Sequence, residues 1–258
     1  MILSILNSAL LAFAFLSWGS FLNVVAYRLL HGTPFFLPRS RCPACSTVIA
    51  WYDLMPVLSW VILRGRCRTC KKSISLLYPL VELVSLAVFW QLFSTVTPAY
   101  WLGYGLFFSA LIVTIRTDLE VMIIIRWFTL GMLPLAWVLS YVDLLPISLP
   151  ASLAGAALGY GTLTTIRLCY LALTGLHGMG DGDPELLCCI GAFVGSFGCL
   201  IALLIGSFLG SLVGLLFFIT YGISARTIKI PFGPFLALGA IFFALYHNSL
   251  TPFFTHLF

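Results

Sequence analysis

Apolar stretches long enough to cross a lipid bilayer follow one another along most of this chain. Residues 1–27 contain no charged side chain, and neither does the segment from Leu186 to Gly222. Hydrophobic residues make up 61% of the 258 residues and charged residues only 8%, whereas soluble domains carry about 25% charged residues. A water-soluble fold has too little interior to bury so much apolar surface. The pattern therefore predicts an all-α polytopic membrane protein.

The apolar stretches divide into eight predicted transmembrane helices, because a helix crosses the hydrocarbon core in about 20 residues. The predicted spans are 3–27, 76–94, 99–115, 121–142, 149–173, 186–199, 200–222 and 230–247. Seven spans remain an alternative, because only small residues such as Gly195, Ser196 and Gly198 interrupt the sixth and seventh. Residues 1–27 lack the basic start of a secretory signal peptide, so we expect them to form a retained first helix.

Basic residues predict the orientation of these helices. Eight of the thirteen lie between Arg28 and Lys72. With eight spans and the N-terminus outside, all thirteen fall on or near cytoplasmic segments, where Lys and Arg collect. The other five are Arg116, Arg126, Arg167, Arg226 and Lys229. The net charge of +5 is thus an orientation signal that favours the lipid bilayer as a partner and gives no reason to expect nucleic acid.

Four of the eight cysteines form two C-x2-C pairs in a basic segment predicted to be cytoplasmic. The pairs are separated by 21 residues and consist of Cys42, Cys45, Cys67 and Cys70. This spacing is typical of a tetrahedral Zn²⁺ site, and neighbouring arginines favour the thiolate form that binds metal. A redox pair and plain structural thiols are the alternatives. The other cysteines have no ligand spacing, and we expect them to be buried packing thiols. They are Cys169, Cys188, Cys189 and Cys199.

Acidic residues cluster at the predicted cytoplasmic helix ends. Asp118 and Glu120 follow the third span, and Asp181, Asp183 and Glu185 precede the sixth. Carboxylates at this depth indicate function, because burying charge in a bilayer is costly. Two aspartates brought together can share a proton, so that one activates water and the other polarises a carbonyl. From the residues alone, aspartyl protease chemistry competes with solvated loop positions, helix caps and a proton relay.

An ordered set of motifs resembles the type IV prepilin peptidases. It consists of GSFLNVVAYRLL (19–30), the cysteine-containing segment 39–83, TDLEVMIIIRWFTL (117–130), GMGDGDPELLCCIGAFVG (178–195) and IPFGPFLALGAI (230–241). The resemblance implies an intramembrane aspartyl protease of the GxGD type in the bacterial inner membrane, with its active site at the cytoplasmic face. Such enzymes remove the basic leader from type IV prepilins or type II secretion pseudopilins. Many also methylate the new N-terminus with S-adenosylmethionine.

The resemblance implies that Asp118 and Asp183 form the catalytic pair. A second alignment is available, because Gly178, Gly180 and Asp181 also fit the short G-x-G-D pattern. Choosing Gly180, Gly182 and Asp183 keeps the family's spacing to the following leucines without a gap. We therefore predict that Asp183 is catalytic and that Asp181 is a variable loop residue, with a charge that complements a helix N-terminus.

The methyltransferase activity is implied by the resemblance alone, since the sequence has no Gly-rich turn of a soluble nucleotide-binding sheet. The predicted domains are the first helix at 1–30, a basic zinc loop at 31–75 associated with methyl transfer, and a membrane-embedded peptidase domain at 76–258. Glu82 and Arg28 are polar candidates for the cofactor region. Their alternatives are a carboxylate paired across helices and an interfacial anchor.

Three positions beside the predicted catalytic pair depart from the family pattern. Relatives usually carry Pro followed by Asp or Asn after the first aspartate, and Lys after the second, where this chain has Ile125, Arg126 and Glu185. Because the two charged positions change in complementary directions, we expect Arg126 and Glu185 to form an ion pair. The alternative is an Arg126 that reaches lipid headgroups and a solvated Glu185.

Two other classes of protein use some of these features. An ion-coupled transporter needs acids through the depth of the bilayer, whereas here the acids concentrate at one face. A membrane-anchored zinc scaffold needs the four cysteines but neither aspartate, so Asp-to-Asn substitutions separate a scaffold from an enzyme. The identity of the pilin-like substrates and the oligomeric state have no signature in the sequence.

Overall fold

The computed structural model describes residues 2–33, 39–176, 178–222 and 229–255, and describes side chains only from residue 6 to residue 247 within these ranges. Part of the predicted zinc loop (34–38) and Arg226 lie outside the described residues. The helices are α1 (Ile2–Leu30), α2 (Leu58–Ile62), α3 (Leu77–Thr95), α4 (Trp101–Val121), α5 (Leu133–Tyr141), α6 (Leu149–Thr174), α7 (Gly182–Tyr221) and α8 (Gly233–Thr255). Over the described ranges there is no extended strand, which confirms the predicted all-α class.

Four helices are long and apolar enough to cross a membrane among the residues that the structure describes. They cover Leu6–Leu30, Leu77–Thr95, Pro98–Val121 and Gly182–Tyr221, and Gly233–His247 is a shorter apolar helix. Helices α1 and α3 to α8 follow the predicted spans in order. The protein is therefore a helical membrane protein.

Helix α4 continues past the predicted end of the third span. The sequence-based boundary was placed before Arg116, but α4 extends to Val121, so Asp118 and Glu120 belong to its last turns and do not follow it. The reason is that Arg116 is buried and paired with Glu120 one turn later, which removes the cost of a charge inside the helix. Met122, with φ 57°, ends α4 in the left-handed conformation.

The segment after α4 is less helical than predicted. The predicted span 121–142 contains a loop and two short 3₁₀ helices, Arg126–Phe128 and Leu130–Met132, before α5 begins at Leu133. Helix α5 has only nine residues. The sequence pattern could not separate this apolar loop from a span, because both consist of hydrophobic residues.

A break inside α7 lies four residues before the predicted end of the sixth span at residue 199. Gly195 has φ 75° and ψ 179°, which interrupts the helix. Residues other than glycine rarely adopt this backbone conformation. Gly195 therefore divides α7 into two helical segments, as a two-span interpretation of Leu186–Gly222 expects.

The chain divides into two compact units, residues 1–94 and 95–258. The first, here called the amino-terminal unit, contains α1 to α3 and all four cysteines of the C-x2-C pairs. The second, here called the carboxy-terminal unit, contains α4 to α8 and both acidic clusters. The three-part domain division from the sequence stays a prediction.

Small residues allow the helices of the carboxy-terminal unit to pack closely. Gly155 of α6 and Gly191 of α7 meet backbone to backbone, so that an added Cβ on either would overlap the carbonyl oxygen of the other. Ser152 Oγ donates a hydrogen bond to the Ala192 carbonyl at 2.6 Å. Such contacts between small residues are a main source of helix association in membranes.

Aromatic packing joins the helices that carry the two acidic clusters. Phe107 of α4 and Phe193 of α7 stack with ring centroids 4.5 Å apart and an interplanar angle of 8°. Both side chains are completely buried. This stacked pair connects α4 with the first segment of α7.

Candidate active site and metal centre

Asp118 is buried in the last turns of α4. Its Oδ2 accepts a hydrogen bond from the backbone N–H of Gly233 at 3.1 Å, at the residue where α8 begins. A Cβ at position 233 would lie 2.7 Å from the same oxygen. Glycine is therefore the residue that lets the start of α8 approach the carboxylate so closely.

Asp183 is buried in the first turn of α7. Its carboxylate accepts a hydrogen bond from the backbone N–H of Gly180, and it lies close enough to Asp118 for the two carboxyl groups to interact electrostatically. The structure thus brings together the two aspartates of the predicted pair. Two neighbouring carboxyl groups disfavour double ionisation, which is the condition for sharing one proton.

Asp181 has different surroundings from Asp183. Its side chain is 73% exposed, and its Oδ1 pairs with Nη1 of Arg167 from α6 at 2.5 Å. An exposed ion pair of this kind contributes little to stability. Of the two aspartates in the GMGDGD segment, Asp183 is the buried one and the one that interacts electrostatically with Asp118.

Ile124 packs against backbone next to both buried aspartates. A Cβ at Gly182 would lie 2.7 Å from Ile124 Cβ, and a Cβ at Gly233 would lie 3.4 Å from Ile124 Cδ1. Gly182 precedes Asp183, and Gly233 donates its N–H to Asp118. The Ile124 side chain therefore fills space between the starts of α7 and α8.

Arg126 and Glu185 form the ion pair that the sequence predicts. Arg126 Nε lies 3.0 Å from Glu185 Oε1, with Arg126 73% and Glu185 9% exposed. Phe128, in the same 3₁₀ helix as Arg126, accepts a weak hydrogen bond at its carbonyl from Cys189 Sγ at 3.9 Å. The loop after α4 is therefore attached to α7 at two points.

Sequence reasoning missed three features of this site. It assigned no role to Gly233 or Ile124, whose contacts are long-range and leave no local pattern. It also took Arg116 for an interfacial basic residue, whereas Arg116 is almost completely buried and its Nη1 pairs with Glu120 Oε2. The i,i+4 spacing of these two residues on one helix was the signal that could have revealed the pair.

The four cysteines of the C-x2-C pairs converge in the amino-terminal unit. Their four Sγ atoms all lie within 4.8 Å of one another, so the cluster is able to hold a metal ion. Both loops have the same backbone pattern: the Ser46 N–H bonds the Cys42 carbonyl at 2.8 Å, and the Lys71 N–H bonds the Cys67 carbonyl at 3.0 Å. Ser46 and Lys71 both have positive φ. Two matching loops that face each other are the geometry of a four-cysteine metal site.

Hydrogen bonds to two of the four cysteines, Cys45 and Cys67, favour the thiolate form that binds metal. Contacts with the Thr47 hydroxyl and backbone lower the pKa of Cys45 to about 6. Backbone N–H groups of Cys70 and Thr69 lower the pKa of Cys67. The Lys72 N–H also favours the Cys70 thiolate, but desolvation and the neighbouring sulfurs outweigh it and raise the Cys70 pKa to about 11. Four thiolates so close together therefore need a cation between them.

An ion pair supports the second cysteine loop from outside. Arg68, between Cys67 and Cys70, donates hydrogen bonds from Nε and Nη2 to the two carboxylate oxygens of Asp53 at 2.8 Å and 2.6 Å. The Arg68 side chain holds the pKa of Asp53 below its usual range. This bidentate pair ties the 3₁₀ helix Trp51–Leu54 to the cysteine cluster.

Glu82 is buried in α3 and serves as a backbone acceptor. Its Oε2 accepts a hydrogen bond from the Val57 N–H at 2.7 Å, and the Ser20 side chain also bonds its carboxylate. Val57 has φ 60° and ψ −50°, and the Leu58 N–H bonds the Pro56 carbonyl across it at 2.6 Å. Glu82 thus stabilises a strained γ-turn. Arg28, the other polar candidate, lies in the last turn of α1.

The remaining cysteines follow the prediction with one exception. Cys188, Cys189 and Cys199 are buried, but Cys169 is exposed. The prediction of a buried packing thiol is therefore wrong for Cys169, because this residue lies on an exposed face of α6. Apolar composition around a cysteine does not show which face of a helix it occupies.

Comparison with known proteins decides the family. The model of the bacterial peptidase A24 N-terminal domain matches residues 14–96, and that of the type IV leader peptidase family matches residues 105–215. A prepilin leader peptidase/N-methyltransferase of Aeromonas hydrophila is 34% identical over 90% of this chain and 88% of the relative. The chain belongs to the type IV leader peptidase family. The resemblance found in the motifs is thereby confirmed.

Other members with the same description have similar coverage. The relative from Pseudomonas putida is 34% identical over 90% of this chain and 88% of its own length. The relative from Dichelobacter nodosus is 33% identical over 92% of this chain and 90% of its own length. No solved structure matches the chain. The first family match contains the four-cysteine cluster, and the second contains Asp118 and Asp183.

Proposed function

We propose that this protein is a prepilin leader peptidase and N-methyltransferase. It removes the basic leader from type IV prepilins or type II secretion pseudopilins and methylates the new N-terminus. Family membership supports both activities, because the similar relatives are prepilin leader peptidase/N-methyltransferases. The observation that carries the peptidase assignment is the burial of both Asp118 and Asp183, close enough for their carboxyl groups to interact electrostatically.

In the proposed mechanism Asp118 and Asp183 share one proton. The ionised carboxylate takes a proton from a water molecule as the water attacks the scissile carbonyl carbon. The protonated carboxyl group donates a hydrogen bond to the carbonyl oxygen, which carries the developing negative charge. Proton transfer to the leaving amine then completes cleavage of the peptide bond. The backbone N–H groups of Gly233 and Gly180 hold the two carboxylates in place.

The proposed location is the bacterial inner membrane, with eight spans, both termini outside and the active site at the cytoplasmic face. The concentration of basic residues between Arg28 and Lys72 supports this orientation. A prepilin has a basic leader followed by an apolar helix, so its cleavage site lies where cytosol meets bilayer. Aspartates at helix ends suit this substrate, since water reaches a helix end more readily than the middle of the membrane.

The proposed metal is one structural Zn²⁺ ion, held by Cys42, Cys45, Cys67 and Cys70. The convergence of four sulfurs within 4.8 Å supports it, and zinc is the usual ion for four cysteine ligands with this spacing. All four positions are used by cysteine, which leaves no open coordination site for a water or substrate. The ion is therefore expected to stabilise the loop and to take no part in peptide cleavage.

The proposed methyl donor is S-adenosylmethionine, which would supply the methyl group for the new terminal amine. Glu82 does not fit as a contact for this cofactor, because its carboxylate is buried and already accepts hydrogen bonds from Val57 and Ser20. We therefore assign Glu82 to the architecture of the amino-terminal unit.

The proposal is tested by incubating the purified protein, in lipid nanodiscs, with a prepilin and S-adenosylmethionine. Mass spectrometry of the product should show loss of the leader and the gain of one methyl group at the new N-terminus. Omission of S-adenosylmethionine should abolish only the methyl gain. An intact prepilin after incubation with well-folded protein would refute the peptidase assignment.

A further inference from the structure

The segment 122–128, here called the strap, connects the surroundings of both buried aspartates. It begins at Met122, whose N–H bonds the carbonyl of Asp118 at 2.9 Å, and ends at Phe128, whose carbonyl contacts Cys189 of α7. Between these points the Ile124 side chain packs against Gly182 and Gly233. The strap therefore starts at one aspartate and reaches the helix that carries the other.

The Arg126–Glu185 pair is the polar attachment of the strap to α7. Glu185 stands in the same first turn as Asp183 and is only 9% exposed, while Arg126 is 73% exposed and reaches its carboxylate from the solvent side. A buried carboxylate needs a partner, because an unpaired charge with little access to solvent is strongly destabilising. Without Arg126, Glu185 would leave a buried, unpaired negative charge in the helical turn that carries Asp183.

We propose that the Arg126–Glu185 pair is a positioning element of the peptidase site, which holds the start of α7 against the strap and thereby fixes Asp183 relative to Asp118. The inference rests on the proposed function, since it concerns the geometry of the same aspartate pair. Neither residue touches the reacting atoms. Their effect is exerted through Asp183, two residues from Glu185 on the same helical turn.

The carboxy-terminal unit offers a matched control in the Arg167–Asp181 pair. It also joins a helix to the GMGDGD region, but its acid is 73% exposed. Because the acid of that pair is exposed to solvent and its arginine is partly exposed, reversing the pair should not affect catalysis. The comparison separates a specific positioning role from a general effect of changing charges near the active site.

The test is a double-mutant cycle on the full chain in nanodiscs, with kcat and KM measured separately for prepilin cleavage. Arg126→Glu and Glu185→Arg should each lower kcat about tenfold, a loss that corresponds to the usual coupling energy between residues in contact. KM should stay within about twofold of the wild-type value. The double variant restores opposite charges and should recover kcat to within about threefold of the wild type. Arg167→Asp, Asp181→Arg and their double variant should leave kcat unchanged.

Several outcomes overturn the inference. Single variants with unchanged kcat, or a double variant whose loss equals the product of the single losses, show that the pair does not position the dyad. If a reversal variant fails to fold, Arg126→Gln and Arg126→Lys replace it: only Lys should retain kcat, and equal activity of the two contradicts the proposal. Cleavage by Asp118→Asn protein would instead refute the proposed function, so the two failures are distinguishable.

Discussion

The backbone N–H of Gly233 donates a hydrogen bond to Asp118 Oδ2 at 3.1 Å, which places the start of α8 directly against a carboxylate from the end of α4. The two residues are far apart in sequence. Their contact means that α8, which contributes no acidic side chain to the site, takes part in shaping it.

Replacement of Gly233 by alanine is expected to damage cleavage through this contact. The added methyl group would lie 2.7 Å from Asp118 Oδ2, so either the carboxylate or α8 has to move, and a misplacement of about 1 Å can cost roughly a hundredfold in rate. Gly161→Ala is the control, because a Cβ there meets nothing within 4 Å. Cleavage assays should show a large loss for Gly233→Ala alone, and equal rates for the two variants would contradict this geometry.

The four-cysteine cluster predicts one zinc ion per chain. Elemental analysis of protein purified under reducing conditions without chelator should find it, and Cys42→Ser should lose it because three sulfurs complete the tetrahedral site poorly. Cys169→Ser is the matched control, since Cys169 is exposed and lies outside the cluster. Wild-type protein without zinc, or a Cys42→Ser protein with a full complement, would exclude this metal site.

The proposed topology predicts opposite signals from two reporter fusions. A reporter joined after residue 75 should report the cytoplasm, because α1 crosses the membrane once before it. A reporter joined after Thr97 should report the outside, because α3 adds a second crossing. The two fusion proteins differ by only one helix, so opposite signals from them are not explained by a difference in expression. A fusion after residue 75 that reports the outside would reverse the assigned orientation.

The sequence predicts best those parts of the site that depend on local spacing. The spacing of the two C-x2-C pairs predicts two metal-binding loops, and in the structure the four cysteines of these loops form one cluster. The complementary departures of Arg126 and Glu185 from the family pattern were also sufficient to predict a contact between distant segments, and the two side chains form an ion pair.

Features that depend on tertiary packing left no comparable signal. The end of α4 was misplaced because Arg116 is charged, and hydropathy alone cannot show that a charge is buried and paired. The positions of Ile124 and Gly233 follow from how α4, α7 and α8 meet, which a single sequence does not encode locally. Cys169 was predicted to be buried for the same reason: its neighbours are apolar, but its face of α6 is exposed.

Peptide cleavage is assigned here to Asp118 and Asp183, and not to Asp181. Replacement by asparagine keeps the side-chain shape but removes the ability to take or share the proton, so Asp118→Asn and Asp183→Asn should each abolish cleavage and leave the zinc content unchanged. Asp181 is exposed and paired with Arg167, which makes Asp181→Asn the natural control.

The most direct measurement is the rate of prepilin cleavage by these three variants, each purified in nanodiscs and compared with the wild type by mass spectrometry of the product. We expect no leader loss with Asp118→Asn or Asp183→Asn and a rate near that of the wild type with Asp181→Asn. An inactive Asp181→Asn protein together with an active Asp183→Asn protein would contradict it and would move the catalytic position two residues towards the N-terminus.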